Sequence, residues 1–406
     1  MIVSNFLLAI ARGGILLSLF CCTTSFTWSV KSNRKSIILQ PRTAHPKQAL
    51  RPGLVALPNS NNSRFSLFKF SLSSSVDTVN DSSTDDTKTT STTAENYLAM
   101  LTCLDSTKKT FQGKSVLLTG ASGGLGRELA LELAKCQVGT LILSGRNEDA
   151  LKEVADDCQQ VFASAVADSG SFSTATLQTH IVPCDLTSRD SVYDLGQTAL
   201  KLCRDTGSKT VDVLINNGGV SSRSSFLETK LEVDERVMQI NFFSGVSLAK
   251  ALIPGMVKSG TGGTVIWVSS VQGLVGIPNR TSYAASKFAV QGYCEGLRAE
   301  LAGSNVSVHV ASPGYIRTNL SRSAMTGDGS NYGKMDETTA NGADPKEVAV
   351  TILDSVADGK ADFIVAATVS AKAAIWMRLL CPGLLRSILV KRFQKSQLSQ
   401  DKDKME

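Results

Sequence analysis

From Lys114 onward, short apolar runs alternate with longer stretches whose apolar positions recur at helical spacing. The runs Ser115–Thr119, Thr140–Ser144, His180–Cys184, Val211–Asn216, Thr264–Ser269, Val306–Ala311 and Asp362–Ala366 read as strands. Helical patterns occupy 125–136, 147–166, 188–205, 229–258, 281–303 and 345–358. A run such as Val211–Ile215 is apolar at nearly every position, which suits a strand covered on both faces. Strand then helix, repeated, predicts βαβ units and a parallel sheet. The expected fold is therefore a doubly wound, Rossmann-type α/β domain over 112–368. Residues 167–178 are polar and predict a surface loop before the third strand.

The flanks break this pattern. Arg12 is followed by the apolar run Gly13–Cys22 and the small residues Thr23–Ser25. That run is too short to span a bilayer and reads as a secretory-type signal. Residues 26–76 are rich in Ser, Asn, Lys and Arg and hold no acid, the composition of a transit peptide. Residues 1–76 are accordingly expected to be an organelle address, for a plastid or the endoplasmic reticulum. A mitochondrial presequence is the rival reading. Ser, Thr and Asp dominate 71–93, so 77–111 is expected to be a linker.

Charge follows this division. The chain carries 42 Lys and Arg against 36 Asp and Glu. Nine of the bases and none of the acids lie in 1–76, so the remainder has a net charge of −3. A body of that charge has no general attraction to nucleic acid. The nine cysteines are scattered without a Cys-x-x-Cys pair, and the three histidines are far apart. Neither a metal site nor a disulfide framework is expected.

Candidate chemistry begins where the first strand ends. Thr119-Gly120-Ala121-Ser122-Gly123-Gly124-Leu125-Gly126 runs directly into a helical pattern. Glycines let a pyrophosphate approach the backbone, and the helix N-terminus offers it free N–H groups. At the tip of the second strand, Leu143-Ser144-Gly145-Arg146 carries no acid to hold a ribose 2′-hydroxyl. Arg146 is instead suited to a 2′-phosphate, with Arg127 as a second cation, which favours NADP(H) over NAD(H).

Tyr283 and Lys287 stand four apart on a predicted helix and so share a face. A phenol ordinarily titrates near ~10, and a neighbouring ammonium lowers that value. Bringing it to neutrality takes roughly 4 kcal/mol. Ser270 ends a predicted strand thirteen residues earlier, at the edge where such sheets bind ligands. Its hydroxyl is expected to bond a substrate oxygen while Tyr283 gives or takes a proton. Asn241 interrupts a long helical pattern, either as part of this site or as a structural cap.

These motifs, with Asp185 after the third strand and Asn216-Asn217-Gly218-Gly219 after the fourth, resemble the short-chain dehydrogenase/reductase family in order and spacing. Ser282–Phe288, Pro313–Leu320 and Thr326–Gly342 look most like its member 7 and 7B branch, which is membrane-associated. Gly218 replaces the family's usual alanine. The resemblance implies a catalytic tetrad of Asn241, Ser270, Tyr283 and Lys287. It implies cofactor contacts from Gly120, Ser122, Gly124, Leu125, Gly126, Arg146, Asp185, Asn217, Tyr283, Lys287, Pro313, Gly314, Ile316 and Thr318. It also implies a carbonyl/alcohol oxidoreductase, often a homo-oligomer, with Gly314–Gly342 as a mobile substrate lid. A non-catalytic scaffold or redox sensor on the same fold is the alternative.

The tail 369–406 is apolar and cationic: six bases and no acid lie between Phe363 and Gln400. Pro382 and the internal charges disfavour a spanning helix. The stretch is expected to lie on an anionic membrane, or to cover the domain or a partner subunit. A membrane-facing tail suits an apolar or lipid-like substrate.

Overall fold

The computed structural model describes residues 27–33, 36–42, 106–168 and 176–405. The chain forms two units, Met1–Ser82 and Ser83–Glu406. In the first, Thr27–Asn33 and Ser36–Arg42 pair as antiparallel strands, which the sequence reading did not anticipate. The signal at 1–25 and most of the linker lie outside the described residues, as does 169–175 of the expected surface loop.

The second unit is built on seven parallel strands. They are β1 (Ser115–Thr119), β2 (Thr140–Gly145), β3 (Gln178–Pro183), β4 (Val213–Asn216), β5 (Gly263–Val268), β6 (Val306–Pro313) and β7 (Asp362–Val365). Their order is β3-β2-β1-β4-β5-β6-β7. The chain turns outward on either side of β1 and β4, leaving a crevice at their C-terminal ends. Every strand read from the sequence is present, with ends displaced by two residues at most.

Helices α1 (Gly124–Lys135), α2 (Glu148–Asp168), α3 (Arg189–Asp205), α4 (Leu231–Met238), α5 (Ser244–Ser259), α6 (Thr281–Glu300), α7 (Glu337–Ala340) and α8 (Pro345–Ala357) surround the sheet. Alternate strand residues feed two cores, because successive side chains leave a strand on opposite faces. Val116, Leu118, Leu141 and Leu143 join α1, α2 and α8 on one side. Leu117 and Ile142 join α3, α5 and α6 on the other. All six are fully buried, and each stabilises the fold by about 2 kcal/mol through burial.

Two segments depart from expectation. The pattern at 229–258 is not one helix. A π-helical turn, Gln239–Phe243, separates α4 from α5 and carries Asn241. Such single wide turns are frequent at functional sites. The stretch 314–342, expected as a mobile lid, is tied down by backbone bonds. Met325 N–H donates to Ser221 O at 2.8 Å, and Arg223 N–H donates to Met325 O at 2.8 Å. Its polar groups have partners in the fold, which polarity alone does not reveal.

Beyond β7, α9 (Val369–Leu380) and α10 (Pro382–Met405) form an α-helical pair that packs together.

Candidate active site

The crevice opens into a cleft of about 450 Å³. Every expected cofactor residue lines it, from Gly120 through Arg146, Asp185 and Asn217 to Pro313, Gly314, Ile316 and Thr318. Ser270, Tyr283 and Lys287 line it too, whereas Asn241 lies just behind the wall.

The glycines of the first turn serve separate needs. Gly124 has φ +55, a left-handed conformation in which other residues are strained. A Cβ on Gly126 would stand 2.0 Å from the Gly120 carbonyl oxygen, so this position is closed by the turn itself. Gly123 faces open space and leaves the first turn of α1 without a side-chain cap or an acid. Free N–H groups and the helix dipole therefore point into the cleft, an arrangement that fits a diphosphate. Asn217 stitches the turn to β4: its Nδ2 donates to Thr119 O at 3.0 Å and Gly120 O at 3.2 Å. At the tip of β2, Arg146 is exposed and lines the cleft. Asp185 accepts from Thr187 N–H at 2.9 Å. This bond, with Arg146 nearby, holds its carboxyl below the ordinary range. Arg127 does not join them, because it is paired with Asp157 at 2.6 Å and Glu128 at 2.9 Å.

The first two turns of α6 present Tyr283 and Lys287, both buried, to the crevice. Ser270, in extended backbone just after β5, accepts from Gln272 N–H at 3.1 Å and stands close enough to the Tyr283 phenol to oppose the effect of its burial. Lys287 Nζ lies 5.7 Å from the Tyr283 ring centroid and donates to Val268 O at 2.9 Å. Burial pushes the Lys287 ammonium down to about 8.

The phenol departs from the sequence expectation. Burial raises Tyr283, outweighing the opposing effects of Ser270, Arg280 and Arg223. Depth in the fold beats the neighbouring cations, because a phenolate loses more by desolvation than they return.

Asn241 is fully engaged. Its Nδ2 donates to Val220 O and Ser286 Oγ, both at 2.9 Å, and its Oδ1 accepts from Val220 N–H at 2.8 Å. Ser286 Oγ in turn donates to Tyr283 O at 2.7 Å. The π-turn residue thus braces the 217–220 loop against α6.

Sequence reasoning missed the opposite wall. Arg223 Nη2 lies 2.6 Å and Arg280 Nη2 2.9 Å from the same oxygen, Oδ2 of Asp336. The Arg280 guanidinium also stands 5.6 Å over the Tyr315 ring. Burial and the facing Arg223 lower Arg280. Burial works to raise Asp336, but its two arginines prevail and hold it low. Arg280, three residues before Tyr283, was the available signal. Asp336 is 56 residues away from Arg280 and gave none.

Comparison with known proteins agrees with this fold. The short chain dehydrogenase family model matches residues 114–328. A dehydrogenase/reductase SDR family protein 7-like from Anopheles gambiae is 41% identical over 288 residues, covering 70% of this chain and 84% of that protein. The dehydrogenase/reductase SDR family member 7B of Xenopus tropicalis is 41% identical over 291 residues, covering 71% and 89%. Among solved structures, a Burkholderia phymatum short chain dehydrogenase/reductase in complex with NAD superposes with a TM-score of 0.55 at 21% identity. That match covers 68% of this chain and 95% of that one, and supports the fold. The chain belongs to the short-chain dehydrogenase/reductase family, oxidoreductases that act on CH–OH groups with a nicotinamide cofactor.

Proposed function

We propose that this protein is an NADP(H)-dependent oxidoreductase that interconverts a carbonyl and a secondary alcohol, with Tyr283 as general acid/base and, in the direction of reduction, proton donor. The convergence of Ser270, Tyr283 and Lys287 in the same cleft as the glycine turn carries the reading. The nicotinamide supplies the hydride when bound. Ser270 donates a hydrogen bond to the carbonyl oxygen and orients it. Tyr283 delivers its proton to that oxygen as negative charge develops there. Burial keeps the phenol protonated near neutrality, the state a donor needs. Lys287, shifted to about 8, is still largely an ammonium at neutral pH. It stabilises the phenolate left behind and holds the nicotinamide ribose. Asn241 acts as a positioning residue.

Arg146 favours the phosphorylated cofactor, since a 2′-phosphate offers it a charged partner. Arg223 and Arg280 share one carboxylate, which leaves that wall with a net positive charge. This suits a carbonyl compound with an apolar body and an anionic group. Residues 1–76 are the address to an organelle, a plastid or the endoplasmic reticulum.

The test is NADPH oxidation by the purified full chain against ketones and aldehydes with and without a carboxylate or phosphate. Tyr283→Phe should lower turnover by about a thousandfold and leave NADPH binding intact. Turnover retained in that variant overturns the assignment. Neutral ketones reduced as well as their anionic analogues remove the role given to the arginines.

A further inference from the structure

We propose that the turn joining α9 and α10 is a docking tip for an anionic membrane surface. The proposal goes beyond the catalytic reading and does not depend on it. Trp376, Leu379, Leu380, Leu384 and Ile388 are each between 44% and 67% exposed and lie on both sides of the Cys381–Gly383 corner. On α9, Trp376 lies three residues before Leu379 and four before Leu380. On α10, Leu384 and Ile388 are also four apart, so each helix turns one apolar edge outward. A soluble monomer rarely leaves a contiguous apolar edge of this kind bare.

Charge selects the occupant. Lys372, Arg386, Lys391 and Arg392 are exposed along the same two helices, and no acid occurs between Phe363 and Gln400. An apolar tip with only cations beside it matches lipid chains under anionic headgroups. The inner side of the pair is fixed. Leu385 is buried and, with Leu389 and Phe393, faces Val275 and Pro278. Arg378 Nη1 donates to Leu274 O at 3.2 Å, and its guanidinium stands 4.6 Å over the Phe288 ring. These partners belong to the segment between Ser270 and Tyr283 and to α6 itself. Docking would therefore hold the membrane close to the catalytic helix, where an apolar carbonyl compound is to be received. Among the described residues, one helical stretch, Leu231–Ser259, is long and apolar enough to span a bilayer. Its α5 part packs Leu248, Leu252 and Met256 into the core against the sheet, so it does not compete for this role.

The test uses Trp376 in the full chain. Trp267 is buried in the core, and subtracting the spectrum of Trp376→Phe isolates the emission of Trp376. Phosphatidylcholine vesicles containing phosphatidylserine should shift that emission to the blue, and brominated acyl chains should quench it. Arg386→Glu with Lys391→Glu should weaken the vesicle response by about tenfold or more. Leu380→Asp with Leu384→Asp should abolish it. A difference spectrum unchanged by vesicles overturns the proposal, even where the chain binds membrane through another segment. So does a blue shift that appears without lipid and grows with protein concentration, because a second copy then covers the tip. If the aspartate variant fails to fold, the Trp376 difference measurement still decides.

Discussion

The two walls of the cleft are built on different plans. The cofactor wall is organised around one short run, Thr119–Gly126, to which the tip of β2 and the distant Asn217 are joined. Backbone geometry shapes most of it, and glycine is demanded at named positions. The opposite wall joins Arg223, Arg280, Tyr315 and Asp336, which meet only in the folded chain. Backbone bonds anchor its segments, but ion pairs set its side chains against one another. The first wall should therefore fail by steric exclusion, and the second by loss of charge balance.

Gly126→Ala gives the largest effect expected. Its Cβ would stand 2.0 Å from a backbone oxygen, and no flexible side chain can yield. The turn must open, at a cost of roughly 3 kcal/mol, the upper end for overpacking. NADPH binding should be lost at concentrations that saturate the parent, with a lower melting temperature. Calorimetry and titration check this. Undiminished cofactor binding would mean that the cofactor wall is as adaptable as the other.

Lys287 sits at the seam between the walls and makes a pH prediction. Burial moves its ammonium from 10.5 to about 8, so between these values the unfolded chain holds the proton more tightly. Stability should therefore rise with pH across that window, by a contribution on the order of 3 kcal/mol. The cysteines pushed up to about 12 act in the opposite sense, because there the unfolded chain loses its protons first. Comparison with Lys287→Met at each pH cancels them. The difference in unfolding free energy should change between pH 8 and 10.5, and a flat difference refutes the buried charge.

Asp336→Asn tests the opposite wall. It leaves two guanidinium groups facing each other without a carboxylate. The amide keeps some hydrogen bonds and the site is partly exposed, so the loss should be about 2 kcal/mol, below that of a fully buried pair. Because Asp336 titrates low, its contribution is present above the ordinary carboxylate range and disappears as pH falls through its folded value. The variant should thus differ from the parent at neutral pH and converge on it in acid. Equal stability at neutral pH would show that the arginines need no counter-charge.

The contrast between the walls also explains what could be read before folding. The strands, the glycine turn, Ser270, Tyr283 and Lys287 were all legible, because each rests on local period or short spacing. The direction of Tyr283 was misread, since depth in the fold is invisible in a motif. The π-turn at Asn241 was seen only as an odd helical residue, although one extra residue per turn is what frees it to brace Val220. The polar stretch 314–342 suggested mobility because its backbone partners, Ser221 and Arg223, lie about a hundred residues earlier. Arg127 was placed in the cofactor site by proximity in sequence, but Asp157 on α2 captures it.

Arg146 carries the smallest expected effect and is where the contrast sharpens most. It is the one charged side chain assigned to the cofactor's 2′-phosphate, on a wall shaped mostly by backbone. It is exposed, so solvent screens the pairing and about 1 kcal/mol is the reasonable scale. Arg146→Ala should raise the KM for NADPH by roughly fivefold and leave NADH nearly unchanged. Arg146→Asp should go further, since it offers a ribose hydroxyl an acceptor and repels a phosphate. Asp185 complicates the second variant. Arg146 helps to hold that carboxyl low, so a new acid at 146 would stand near an existing one. The alanine variant separates loss of attraction from added repulsion. If its ratio of NADPH to NADH efficiency matches the parent's, Arg146 does not select the cofactor, and the cofactor wall discriminates through its backbone alone.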